Sequence, residues 1–81
     1  MFVKYVLKTM NAHELEFAIF CIENVAEYLG IKGSEAYKLL VEQSDILDSY
    51  IIPCSDALHT QGKEYIINDI IDVMRERGFA V

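Results

Sequence analysis

Apolar residues recur at helical spacing along most of this chain. Leu15, Ala18, Ile19, Ile22, Val25, Ala26 and Leu29 follow the i, i+3, i+4 rhythm of an amphipathic helix. Asn11, with Glu14 three residues later, predicts the start of that helix near Ala12, because the two side chains can satisfy each other's orphan backbone donors. Gly30 predicts its end, since glycine takes the left-handed conformation of a helix stop without a steric penalty. At ~100° per residue, Glu16, Glu23 and Glu27 share one narrow strip, with Phe20 at its edge. Phe17, Cys21 and Tyr28 widen the apolar face past a single stripe. A helix of that kind is expected to be central to the fold or shared with another chain.

The rest of the pattern comes in shorter pieces. Gly33 and Ser34 open a second helix, Glu35 to about Gln43, with Ala36, Leu39 and Leu40 inward and Lys38 four residues before Glu42. Ser44 or Asp45 caps a third segment, Ile46 to about Ile52. Pro53 interrupts it by removing a backbone donor and displacing the residue before it from helical geometry, and Cys54 to His59 resumes for a turn or two. After the polar break Thr60-Gln61-Gly62-Lys63 a last helix carries Ile66, Ile67, Ile70, Ile71, Val73 and Met74 on one broad face. Asn68, Asp69, Asp72, Arg75 and Glu76 fall on its other face. Arg75 and Arg77 suit the negative end of the dipole, Gly78 stops the helix, and Phe79-Ala80-Val81 is an apolar tail expected to dock. Residues 2–7 alternate weakly and fit a short strand or a helical lead-in equally well. The expected fold is all-α, one domain over residues 1–81. It is a compact bundle of four or so short helices, with 12–78 as helical core and 1–11 as a variable N-terminal segment that can include a short extended stretch.

Composition adds a constraint. A chain of 81 residues buries only ~60% of the surface its unfolded form exposes. Yet 53% of its residues are hydrophobic, against roughly 45–50% in ordinary soluble domains. Either the helices pack tightly on all sides or, the favoured reading, an apolar patch is left for a second copy or a partner. Phe17, Phe20 and Tyr28 from the first helix and Ile67, Ile71 and Met74 from the last are the residues expected to supply it.

Charge narrows the partners. Seven Lys and Arg stand against thirteen Asp and Glu, a net charge of −6, and the basic residues are scattered. Nucleic-acid and anionic-membrane binding are therefore disfavoured, and so is a helix-turn-helix regulator, because no helix presents a basic face. No run approaches the ~18–20 apolar residues of a membrane span. The N-terminal apolar stretch is broken by Lys4 and Lys8 and followed by no small-residue cleavage site, so it does not read as a secretory signal. Cys21 and Cys54 are too few for a disulfide framework, which points to a reducing cytoplasm.

Candidate chemistry is sparse. His59 lies in Leu58-His59-Thr60-Gln61-Gly62-Lys63-Glu64-Tyr65, a run of hydrogen-bonding side chains between apolar segments. One reading makes it a ligand contact or general base oriented by Asp56, in a pocket lined by His59, Asp56 and Tyr65, with Thr60 and Gln61 as further contacts. The other makes the run a turn whose His, Thr and Gln satisfy helix-end groups, and a lone histidine without converging partners favours it. Cys54, Ser55, Asp56 and His59 are too local for a nucleophile, acid and base set. Nothing in the spacing of His13, Cys21, Cys54 and His59 suggests a zinc site, so no catalytic residue, metal or cofactor is expected. Glu16, Glu23 and Glu27 read as a solvated face, with docking of a basic partner as the alternative. Tyr5, Tyr28, Tyr37, Tyr50 and Tyr65 read as core-edge residues, one or two of which can anchor an interface.

Phe20-Cys21-Ile22-Glu23-Asn24-Val25-Ala26, Tyr50-Ile51-Ile52-Pro53 and Leu58-His59-Thr60-Gln61-Gly62-Lys63-Glu64-Tyr65-Ile66 together resemble a family of short bacterial proteins, domain of unknown function 3791. The likeness runs from about Glu14 to Gly78, and Leu-His-Thr-Gln is its most specific part. It implies a compact helical protein with no established activity. Gene neighbours that are ADP-ribosyltransferase-like or otherwise toxin-like imply, by association, an antitoxin-like or regulatory role. With no catalytic residues known for the family, none carries over; Tyr50, His59, Thr60, Gln61 and Tyr65 are matched positions only. The functional expectation is a non-enzymatic, homodimeric protein-protein interaction module. Its alternatives are an antitoxin-like or regulatory partner of a neighbouring toxin-like protein, and a small-ligand-binding protein or enzyme centred on His59.

Overall fold

The computed structural model describes residues 11–81, so the expectations for residues 2–7 and Tyr5 lie outside it. Helix α1 spans Ala12–Leu29 and starts as its sequence dictates. Asn11 Oδ1 accepts from the Glu14 N–H at 2.8 Å, and Glu14 Oε1 accepts from the Asn11 N–H at 3.1 Å. At the far end Gly30 sits at φ 69°. The Ile31 N–H returns to the Ala26 carbonyl at 3.0 Å and the Gly30 N–H to Glu27 at 3.2 Å, which satisfies carbonyls the helix would otherwise leave bare.

Helix α2, Gly33–Tyr37, runs directly into a π turn, Lys38–Glu42, closed by the Gln43 N–H on the Lys38 carbonyl at 2.7 Å. A second π turn, Leu47–Ile51, is closed by Ile52 on Leu47 at 2.9 Å. The predicted second and third helices are thus present, but most of each is wound wider than an α-helix. Between them, Ser44 Oγ donates to the Leu39 carbonyl at 2.6 Å and accepts from the Ile46 N–H at 3.3 Å, so one hydroxyl ends one segment and begins the next. Pro53 ends the second π turn. Helix α3, Ser55–Leu58, follows, and α4 spans Lys63–Glu76 after the Thr60–Gly62 break.

Helix α1 packs against both α2 and α4, and the two π turns contact each other. Val25, Leu40, Ile46, Leu47, Ile51, Ile70, Ile71 and Met74 fill the core. Among the described residues no polar or charged side chain is buried. The fold is all-α, with no strand among the described residues. Its radius of gyration, 11.6 Å, matches the ~12 Å expected of a closed globule of this length.

Two readings sharpen at this level. On the broad apolar face of α1, Leu15 and Ile19 are left 36% and 46% exposed. The buried side of α1 is Ala18, Cys21, Ile22, Val25 and Ala26, whose smaller members let neighbouring backbones approach closely. The C-terminal cations also do more than complement a dipole. Arg77 pairs with Asp45 and donates to Ser49 Oγ at 3.2 Å, tying the second π-turn segment to the end of α4. Arg75 Nε donates to the Val81 oxygen at 2.8 Å, and Phe79 and Val81 pack against the core, so the tail docks as expected.

Candidate functional site

The step from Pro53 into α3 opens a cleft of about 810 Å3 against the first two turns of α1. Asn11, His13, Glu14, Glu16 and Phe17 form one wall. Ile52, Pro53, Ser55, Asp56 and His59 form the other. Phe17 is half-buried and stacks on Phe20, with ring centroids 6.2 Å apart and planes 17° from parallel. The cleft therefore joins Asp56 and His59 of the histidine turn to Phe17 of the expected interface, across more than thirty-five residues of sequence.

Within the turn, local bonds account for the conspicuous side chains. His59 Nδ1 bonds the Ser55 carbonyl at 2.9 Å, and Thr60 Oγ1 donates to the Ala57 carbonyl at 2.8 Å. Both do what the structural reading of the turn requires at the end of a short helix. Thr60, Gln61 and Tyr65 are exposed and do not line the cleft, so the pocket of His59, Asp56 and Tyr65 is not assembled. Among the described residues no group of three His, Cys, Asp or Glu side chains is placed to hold a metal ion.

The expected interface residues divide. Ile67, Ile71 and Met74 are interior, at 5%, 1% and 0% exposure. Helix α4 has a single apolar face, and the core of the chain itself takes it. They are core residues, and of the three only Ile67 shows an edge at the surface. Phe20 is half-buried and Tyr28 is 51% exposed. Tyr28 shares a second, smaller cleft of about 270 Å3 with Asn24, Glu27, Lys63, Glu64, Asn68 and the edge of Ile67. The Lys63–Glu27 ion pair, 3.3 Å, spans its mouth from α4 to α1. Glu16 and Glu23 are exposed, as a solvated strip requires.

Sequence reading missed one polar contact. Asp69, assigned to the solvent face, is half-buried and accepts a hydrogen bond from the Tyr50 hydroxyl. That bond, then burial, then the nearby negative charge of Asp69 with Cys54 and Tyr65, holds the Tyr50 phenol well above the usual tyrosine range. Nothing in the spacing of positions 50 and 69 signals the pair. It couples the second π turn to the middle of α4, as Arg77 couples the same segment to the helix end. Tyr50→Phe is expected to lower stability by about 1–2 kcal/mol, the net value of a hydrogen bond to a charged acceptor at a site water partly reaches. Thermal unfolding checks this, and an unchanged midpoint would show that the pair is not holding the segment.

The thiols are free. Cys21 is fully buried, and burial alone pushes its thiol up to about 12. That is the setting of a small hydrophobe, as its apolar segment predicted.

Fold and site together define a small all-helical protein whose described residues form open clefts along one central helix. The chain belongs to the family described as protein of unknown function (DUF3791), whose model matches residues 16–77. That span reaches from the first turns of α1 to the end of α4, close to the extent of the resemblance read from the sequence. No curated protein matches the chain, and no solved structure does. No helix among the described residues is long and apolar enough to cross a membrane.

Proposed function

We propose that this chain is a non-enzymatic protein-protein interaction module that docks a partner on the outer face of α1. The exposed pair Leu15 and Ile19 carries this reading. They stand one turn apart on the central helix, bordered by Glu16 and Glu23, while the other large aliphatic side chains among the described residues are buried or half-buried. The local bonds of His59 and Thr60 and the buried, protonated Cys21 support a non-enzymatic role.

Self-association is the second reading, and the same pair favours it, since a twofold contact would set two Leu15–Ile19 stripes together. Its strength is limited. Covering these half-exposed side chains on both copies yields about 4 kcal/mol, which only reaches the low end of the ~4–15 kcal/mol that association costs. A net charge of −6 on each copy opposes it further. Any homodimer built on this face alone is weak and strengthens with salt, whereas a partner bearing positive charge gains from Glu16 and Glu23. A regulatory complex with such a protein fits the module better than a stable homodimer.

Ile19→Glu tests the proposal. The position is exposed, so the variant should fold with an unfolding midpoint close to that of the wild type. It should lose the partner that co-purifies with the native chain, and sedimentation equilibrium should show loss of any dimer. A variant that retains every association would remove this face from consideration.

A further inference from the structure

The α1/α3 cleft has a chemistry that α1's outer stripe lacks. Its apolar part is Phe17, Ile52 and Pro53, and the acidic side chains at its rim include Glu16 and Asp56, both exposed. The ion pairs formed among the described residues use Glu27, Asp45 and Asp72, leaving neither Glu16 nor Asp56 with a described cation. Anions are repelled by this rim and by the net charge of −6. A purely apolar side chain would desolvate the carboxylates without compensating them. An arginine or lysine meets both requirements, because its stem is apolar and its head is cationic. Phe17 adds an aromatic face suited to a guanidinium.

We propose that this cleft receives a basic side chain from an exposed segment of a partner protein, the stem lying on Phe17, Ile52 and Pro53 and the head pairing with Glu16 and Asp56. The inference rests on the reading of the chain as an interaction module and names the chemistry of its partner. Glu16 follows Leu15 directly on α1, so one partner can touch the apolar stripe and the cleft together. Thr60 and Gln61 have no part in it.

The test titrates the full 15N-labelled chain at low salt with two blocked pentapeptides, Ala-Leu-Arg-Leu-Ala and Ala-Leu-Glu-Leu-Ala. The arginine peptide should shift the amides of Glu16, Phe17, Asp56 and His59 saturably, and the glutamate peptide should not. Raising the salt concentration should weaken the response. The double variant Glu16→Gln, Asp56→Asn changes two exposed side chains, and its amide spectrum reports directly that the fold is retained. It should bind the arginine peptide at least about fivefold more weakly. Equal responses to both peptides, shifts scattered over Asp48, Asp72 and Glu76, or unchanged binding by the folded double variant would each overturn the inference. A partner that needs Ile19 while the cleft stays silent sinks this inference alone. A responsive cleft with no partner at Ile19 sinks the docking face instead.

Discussion

Ile71→Ala should destabilise the isolated chain by about 2–5 kcal/mol, the usual cost of removing a large aliphatic side chain from a packed interior. Ile71 is 1% exposed and packs in the cluster that contains Val25, Leu40, Ile70 and Met74. A small domain has only about 5–10 kcal/mol of total stability. At ~4–8 °C per kcal/mol for a chain this size, the unfolding midpoint should fall by at least about 8 °C. The substitution separates two accounts of α4. If its isoleucines served an intermolecular contact, the monomer would unfold where the wild type does and only association would suffer. If they form the core, the monomer itself fails. Ile19→Ala, on the exposed side of α1, supplies the contrast and should shift stability by no more than about 0.5 kcal/mol.

Stability should also fall steeply in alkali, through Cys21. The thiol's ordinary value of 9.0 is raised to about 12 by burial, so the native state holds its proton after the unfolded chain has released it. The contribution is fully present below the unfolded value and is lost as pH climbs from there through the native one. At ~1.4 kcal/mol per unit the whole effect is about 4 kcal/mol. Between about pH 8 and about pH 10.5 the expected loss is about 2 kcal/mol, read from urea unfolding at the two pH values. Tyr37 and Tyr50 are shifted in the same direction, Tyr37 by burial and then by Glu42, and they add to the decline at the upper end of the window. Cys21→Ala should start somewhat less stable, from the cavity, and decline later and less. Parallel curves for variant and wild type would show that the thiol is not buried as described.

Much of this fold is legible in the chain because its helices carry local punctuation. Asn11 with Glu14, Gly30, Pro53 and Gly78 act within a few residues of themselves, and each does what its chemistry predicts. Periodicity found the core face of α4 because that helix has a single apolar side. It left Leu15 and Ile19 unplaced because α1 is apolar around more than half its circumference, and spacing alone cannot say which edge neighbours will cover. The same limit explains Ile67, Ile71 and Met74: apolar excess announces buried surface without saying whether the cover comes from the same chain. The excess is mostly absorbed inside. Leu15, Ile19, Tyr28 and Tyr65 are the large apolar side chains left exposed among the described residues.

The candidate site was less legible. Asp56, His59 and Phe17 each stood out by type, yet their meeting in one cleft depends on the turn at Pro53 bringing α3 against the start of α1. The Tyr50–Asp69 bond depends in the same way on how a π turn meets α4. Neither carries a spacing signature, since each joins segments far apart in the chain.

The docking role of α1 is tested most directly by site-specific photo-crosslinking in the native cell. A photoreactive residue in place of Ile19 should give one discrete adduct of higher mass, and the same residue in place of Glu76, on the exposed side of α4, should give none. No adduct at position 19, or the same smear of products from both positions, would contradict a partner seated on that helix.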